Sequence, residues 1–238
     1  MSYPLPYSLA RLQARVGGLP SEGEWRRLRA IEGMAAFLHA VRSGPMSPWT
    51  LPGDARGGVH DIERQLRHDL WRQIEELMRW LPLSWHPALH WTSYLPYLEI
   101  FAYLERGGDL YPWMREDMLL FSYLSPVLDR HAGRRRVPAL PATWAEGWRQ
   151  RLPSGGDRDG KASGRLATAL LAAAGAGEEG DRWQSHRELE AALLRLFHGH
   201  CTSPLAVFAY LGLILLQARW LRAELQRRLL FPARGTAP

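Results

Sequence analysis

The sequence is short of cysteine, of lysine and of long apolar runs, and each shortage excludes a class of protein. Cys201 is its only cysteine, so no intramolecular disulfide framework can form, and a single thiol fits a reducing compartment. Lys161 is its only lysine, so the rest of the thirty Lys and Arg residues are arginine. Abundant Ala, Gly, Leu, Pro and Trp accompany them, a composition that reflects GC-rich codons. The net charge of +6 is scattered over 238 residues, which argues less for nucleic acid than a dense basic patch would. The longest uncharged apolar run, Leu205 to Leu216, is twelve residues long. A bilayer-spanning helix needs about 20, so this run is read as a buried core or intersubunit helix. Residues 1–10 lack a basic segment followed by an apolar one, so no secretory signal is read. No stretch alternates polar and apolar residues between turn signals, so no sheet is expected.

What remains is 46% hydrophobic and 23% charged, ordinary for a globular chain, with eleven tryptophans that imply large buried or interface surfaces. The pattern is helical. A short first helix carries Arg11, Leu12, Ala14 and Arg15 and ends near Gly17-Gly18. Ser21 and Glu24 have capping-box spacing and open a helix with Trp25, Leu28, Ile31, Met34, Ala35 and Leu38 on one face. A Pro- and Gly-rich segment, 43–58, follows and is long for a connection inside a compact domain.

The clearest helix runs from Val59 to Leu81, where Ile62, Leu66, Leu70, Ile74, Leu77 and Leu81 recur at steps of three and four. Glu63 and Arg67, then Glu75 and Arg79, are acid-before-base pairs worth about 0.3–0.5 kcal/mol each, read as a solvated flank. Further helices are expected over 88–104, kinked at Pro96, and over 113–131. Shorter ones follow at 144–152, 165–174 and 183–198. Ser203-Pro204 opens the last. The chain is thus all-α, with an N-terminal helical lobe at 1–132, a linker at 133–142 and a C-terminal lobe at 143–231. A flexible loop is expected at 153–164 and a frayed tail at 232–238.

Candidate chemistry is sparse. His86 and His90 lie four apart, but Pro87 separates them and no HExxH arrangement supplies an acid. His198, His200 and Cys201 hold metal donors, yet Gly199 and the helix break turn them to different sides. Residues 155–160 lack the phosphate-loop pattern, and no nucleophile elbow is present. Arg134-Arg135-Arg136 reads as a solvated linker without an aromatic platform beside it. No catalytic residue, metal site or cofactor is expected.

Three segments carry a resemblance to a known family. Tyr7-Ser-Leu-Ala10-Arg11-Leu-Gln-Ala-Arg15, followed by Leu19 and a capped helix, is similar to the opening segment of the C (or d) subunits of V/A-type rotary ATPases. Ile62-Glu63-Arg-Gln-Leu66, on the helix ending at Pro82, resembles the family's middle helix. Ser203-Pro204-Leu205 through Tyr210-Leu211 to Arg219-Trp-Leu221-Arg222 resembles its last helix. The chain departs from the family at Ile214, Leu215 and Gln217, where members have a lysine and two glutamates. It also has no counterpart of the family's Asp and Asn around Tyr94 to Glu99, and it is shorter than usual members. It therefore reads as a divergent bacterial member.

The resemblance implies a two-lobed, funnel-like fold and a non-catalytic central-stalk rotor subunit of a V/A-type ATP synthase or ATPase. Such a subunit couples the membrane proteolipid ring to the central shaft in proton or sodium transport. It sits in the cytoplasm, peripherally on the membrane face through the complex, with no nucleic acid and no small-molecule substrate. By analogy, the partner-interface residues are Arg11, Arg15, Glu63, Arg219 and Arg222. The alternative is a helical nucleic-acid-binding or regulatory scaffold.

Overall fold

The computed structural model describes residues 5–51, 59–130, 140–153, 160–175 and 182–231, and among them helices are joined by turns with no strand. The chain begins with α1 (Leu5–Gly17), α2 (Glu22–Ala30), α3 (Met34–Ser43) and α4 (Val59–Met78). Two 3-10 segments, Leu83–Trp85 and Thr92–Tyr97, flank α5 (His86–Trp91), and α6 (Leu98–Glu105), α7 (Pro112–Glu116) and α8 (Met118–Arg130) follow. The remaining helices are α9 (Leu140–Gln150), α10 (Lys161–Ala173), α11 (Arg182–Gly199) and α12 (Leu205–Leu230).

The centre is α12. Every residue from Leu205 to Gln217 is buried, so the first half of this helix is apolar around its circumference, as a helix enclosed on all sides must be, whereas buried and exposed positions alternate at helical spacing from Ala218 onward. It packs against α11, α10, α4, α1 and α3. By length and composition α12 could cross a membrane, but 83% of its most apolar window is buried inside the molecule. A central core helix has the same profile.

The α4 stripe behaves as its spacing predicts. Ile62, Leu66, Leu70, Ile74 and Leu77 are all buried, and Leu81 follows them into the core from the turn beyond the helix. The tryptophans serve the interior: Trp25, Trp49, Trp80, Trp85, Trp144, Trp148 and Trp220 are buried. Trp91 and Trp144 each donate an indole N–H to the other's backbone carbonyl, at 2.9 and 3.1 Å, and so tie α5 to α9.

Three expected helices are broken by polar chemistry. The stretch from Ser21 to Leu38 starts with the capping box as read, but stops at Ile31, whose backbone is extended. The Arg228 guanidinium on α12 donates to the Leu28 and Ile31 carbonyls, satisfying groups that a continuing helix would have used. The stretch over 113–131 divides at Asp117, whose carboxylate accepts the Leu120 N–H at 3.1 Å and so caps α8. Pro96 does more than kink its stretch. It lies within the six-residue 3-10 segment, where Thr92 and Ser93 hydroxyls donate to the carbonyls of Leu89 and His90.

Half of the Pro- and Gly-rich segment is firmly seated. Met46, Trp49 and Leu51 are buried, and the wholly buried Asp69 on α4 accepts the Thr50 N–H and hydroxyl, each at 2.6 Å. Gln65 and Arg72 complete its shell at 3.0 and 2.7 Å. Residues 52–58 lie outside the described residues, as do 131–139, 154–159 and 232–238, which hold most of the expected linker, half of the expected flexible loop and the expected tail. Lys161 to Gly164, expected in that loop, are instead the first turn of α10, with Ala162 and Ser163 buried. The last residues of the expected linker, 140–142, are the first turn of α9. One apolar cluster runs through both expected lobes, from Leu9 and Leu12 to Leu221 and Leu225.

Candidate functional site

A cleft of about 140 Å³ opens between α4, α6, α7, the end of α10 and α12. Its apolar lining is Leu66, Leu70, Pro96, Ile100, Trp113, Ala174, Leu215 and Ala218. Its charged lining is Glu63, Arg67, Glu99, Arg219 and Arg222. The charges alternate as a ladder. Arg67 and Glu63 approach to 4.0 Å, Glu63 and Arg222 to 3.5 Å, Arg222 and Glu99 to 2.5 Å, and Glu99 and Arg219 to 3.8 Å. Gln226 adds a hydrogen bond to Glu63 at 3.3 Å, and Arg219 donates to the Ala172 and Ala173 carbonyls that end α10.

The wall beside Glu99 depends on Gly175. This residue has φ of 84°, and a Cβ there would lie 2.4 Å from a Glu99 carboxylate oxygen. A side chain would combine a left-handed backbone with a displaced carboxylate.

Arg67 occupies the inner end of the ladder. Its side chain is 18% exposed and its guanidinium carbon lies 5.4 Å from the Tyr97 ring centre and 5.7 Å from that of Trp113. Asp117 approaches it to 3.8 Å and accepts the Tyr97 hydroxyl through both carboxylate oxygens, at 3.0 and 2.9 Å. Burial first, and then the Asp117 charge, push the Tyr97 phenol far above its ordinary pKa. Tyr97 is therefore a fixed donor. Near the outer end, burial and the Arg219 charge lower the His186 pKa.

The five residues singled out from the sequence fall into two groups. Glu63, Arg219 and Arg222 meet on this cleft, although Glu63 stands 156 and 159 residues before the other two in sequence. Arg11 and Arg15 lie elsewhere, on α1 against α4. Both reach Glu76, at 3.6 and 2.6 Å, and both guanidiniums lie over Trp80, at 4.5 and 4.7 Å from its ring centre.

Sequence reasoning missed Glu99 and misjudged the Glu63–Arg67 pair. Glu99 is the lone charge between 91 and 104, and a carboxylate embedded in an apolar helical stretch is a signal in itself. The Glu63–Arg67 pair has helical spacing, but it is only 22% and 18% exposed and faces the cleft rather than bulk water. Its pattern is that of a solvated pair; only the arrival of α6 and α12 encloses it.

The histidine candidates gather no donor set. His86 places Nε2 3.1 Å from the Leu81 carbonyl, and His198 meets Phe197 edge-on. Among the described residues, no three His, Cys, Asp or Glu side chains form a group that could hold a metal. In comparisons with known proteins, no family model, no curated protein and no solved structure matches this chain.

Proposed function

We propose that this chain is a non-catalytic rotor subunit of a V/A-type ATPase, seated between the membrane proteolipid ring and the central shaft. The reading is carried by three motif resemblances that occur in the family's order along the sequence. Their packing supports it: they lie on α1, α4 and α12, and α12 packs against both of the others. A torque-bearing part needs a stiff body. A 26-residue helix about 39 Å long, buried along its first half and gripped by several neighbours, supplies one. The finer elements of the proposal are the two-lobed funnel, the proton or sodium coupling, the peripheral cytoplasmic position, and Arg11, Arg15, Glu63, Arg219 and Arg222 as contact residues.

The scaffold alternative, built on arginines that grip nucleic acid, has less behind it. Arg11, Arg15, Arg67 and Arg222 already face carboxylates of this chain, and Arg228 caps α2. Arg134 to Arg136 lie outside the described residues.

The test is a pull-down of the tagged protein from its own membranes in mild detergent, with partners identified by mass. Stoichiometric recovery of nucleotide-binding, shaft and proteolipid subunits is the expected result. Recovery of nucleic acid, or of no membrane component, overturns the reading.

A further inference from the structure

We infer that the cleft between α4, α6 and α12 is a binding site for a small organic acid, one carboxylate on a ring-sized apolar body. Glu99 takes a short hydrogen bond from Arg222 and faces Arg219; Glu63 faces Arg222 and accepts from Gln226. Arg219 donates to two carbonyls. Arg67 differs. Its ion pairs are at 3.8 and 4.0 Å, beyond hydrogen-bond reach, and its remaining neighbours are the faces of Tyr97 and Trp113. A guanidinium carries five N–H donors in a planar fork, and among the described residues none of those of Arg67 makes a hydrogen bond. One oxygen each of Glu63 and Glu99 is also approached by arginine only at 4.0 and 3.8 Å, but the Arg67 fork is the cleft's largest unmet group, and a fork of donors is met by an anion with two acceptor oxygens.

The rest of the lining selects the body of that anion. Leu66, Leu70, Ile100 and Leu215 form an apolar floor, and Trp113 stands beside Arg67 as a flat wall. The space of about 140 Å³ suits a single ring, since an apolar cavity of about 150 Å³ holds benzene. A lipid chain is too long for it. A carboxylate accepts the guanidinium fork through two parallel hydrogen bonds, while the Glu63 and Asp117 carboxylates beside Arg67 oppose it by like charge; Asp117 is held by Tyr97 and Leu120, so Glu63 is the one to vary. That opposition makes a specific prediction: neutralising Glu63 tightens binding, although Glu63 is itself part of the lining.

The test is calorimetric titration of the intact purified protein with benzoate and phenylacetate, against benzamide and inorganic phosphate as controls. One site with a dissociation constant below about 1 mM is expected for the acids, a fair affinity for some nine or ten heavy atoms. Benzamide, which keeps the ring and loses the charge, is expected to bind at least about tenfold more weakly, as is phosphate, which lacks the ring. Arg67→Gln is expected to weaken the acids about tenfold or more, and Glu63→Gln to tighten them about threefold. Ala218→Phe, which fills the cleft from α12, is expected to abolish binding while circular dichroism shows the helices retained. No binding of the acids at 10 mM, equal binding of benzamide, or unchanged affinity in Arg67→Gln or Ala218→Phe each overturns the inference. The inference does not rest on the rotor reading, and the titration decides it whichever way the pull-down falls.

Discussion

At the scale of single residues, the informative positions are polar groups that the fold has enclosed. Asp69 is the clearest. Its two oxygens serve one backbone N–H, one hydroxyl, one amide and one guanidinium, and they fasten the 43–51 segment onto α4. Removing it leaves the Thr50 donors and Arg72 to turn to water, since Thr50 and the Arg72 side chain are exposed while Asp69 itself is wholly buried. Asp69→Ala is expected to lower unfolding free energy by about 1–3 kcal/mol, read as a fall in urea midpoint at unchanged slope. A loss below about 0.5 kcal/mol would mean that the segment is held by Met46, Trp49 and Leu51 alone. By contrast, the Arg222–Glu99 pair is a third or more exposed on its arginine side, and such pairs contribute at most about 1 kcal/mol. The ladder shapes the cleft more than it stabilises the fold.

At the scale of elements, what matters is how closely helices approach and what stops them. Gly212 lies in the buried half of α12, where a Cβ would come within 2.5 Å of a Leu193 methyl on α11. Gly212→Ala gains about 1 kcal/mol of helix propensity and incurs about 1–3 kcal/mol of overpacking. A net loss of stability of up to about 2 kcal/mol is expected in thermal or urea unfolding; a gain would show that Leu193 has room to turn away. The long amphipathic α4 and the apolar α12 were legible because periodicity and burial are the same fact seen twice. The helix breaks were not. Ile31 ends α2 because Arg228, 197 residues further on, takes its carbonyl, and no local window contains both. Asp117 is legible in hindsight as a cap between two apolar runs, though the runs alone read as one helix.

At the scale of the whole molecule, α12 decides the architecture. It follows the break at 133–142 in sequence, yet it packs on α1, α3 and α4 as well as on α10 and α11, so one core spans the chain. A core without a seam unfolds as a unit. Far-ultraviolet circular dichroism and tryptophan fluorescence are expected to give coincident urea transitions; two separated transitions would mean that the segments before and after the break fold independently. The cleft belongs to this scale too. Glu63, Glu99, Arg219 and Arg222 come from three helices, and their pairing exists only once α12 lies against α4.

The sequence alone determined the helical class, the buried face of α4, the start of α2 at Ser21 and the apolar run of Leu205 to Leu216, though not whether that run is covered by its own chain or by another subunit. Each follows from residue spacing or local hydrogen bonding, which are properties of a short window. The tertiary structure decided where helices break, which charges are enclosed and that a cleft exists at all. The end of α2 and the ion pairs of α12 with Glu63 and Glu99 depend on partners more than a hundred residues away, and burial converts the same Glu63–Arg67 spacing from a surface pair into the lining of a site.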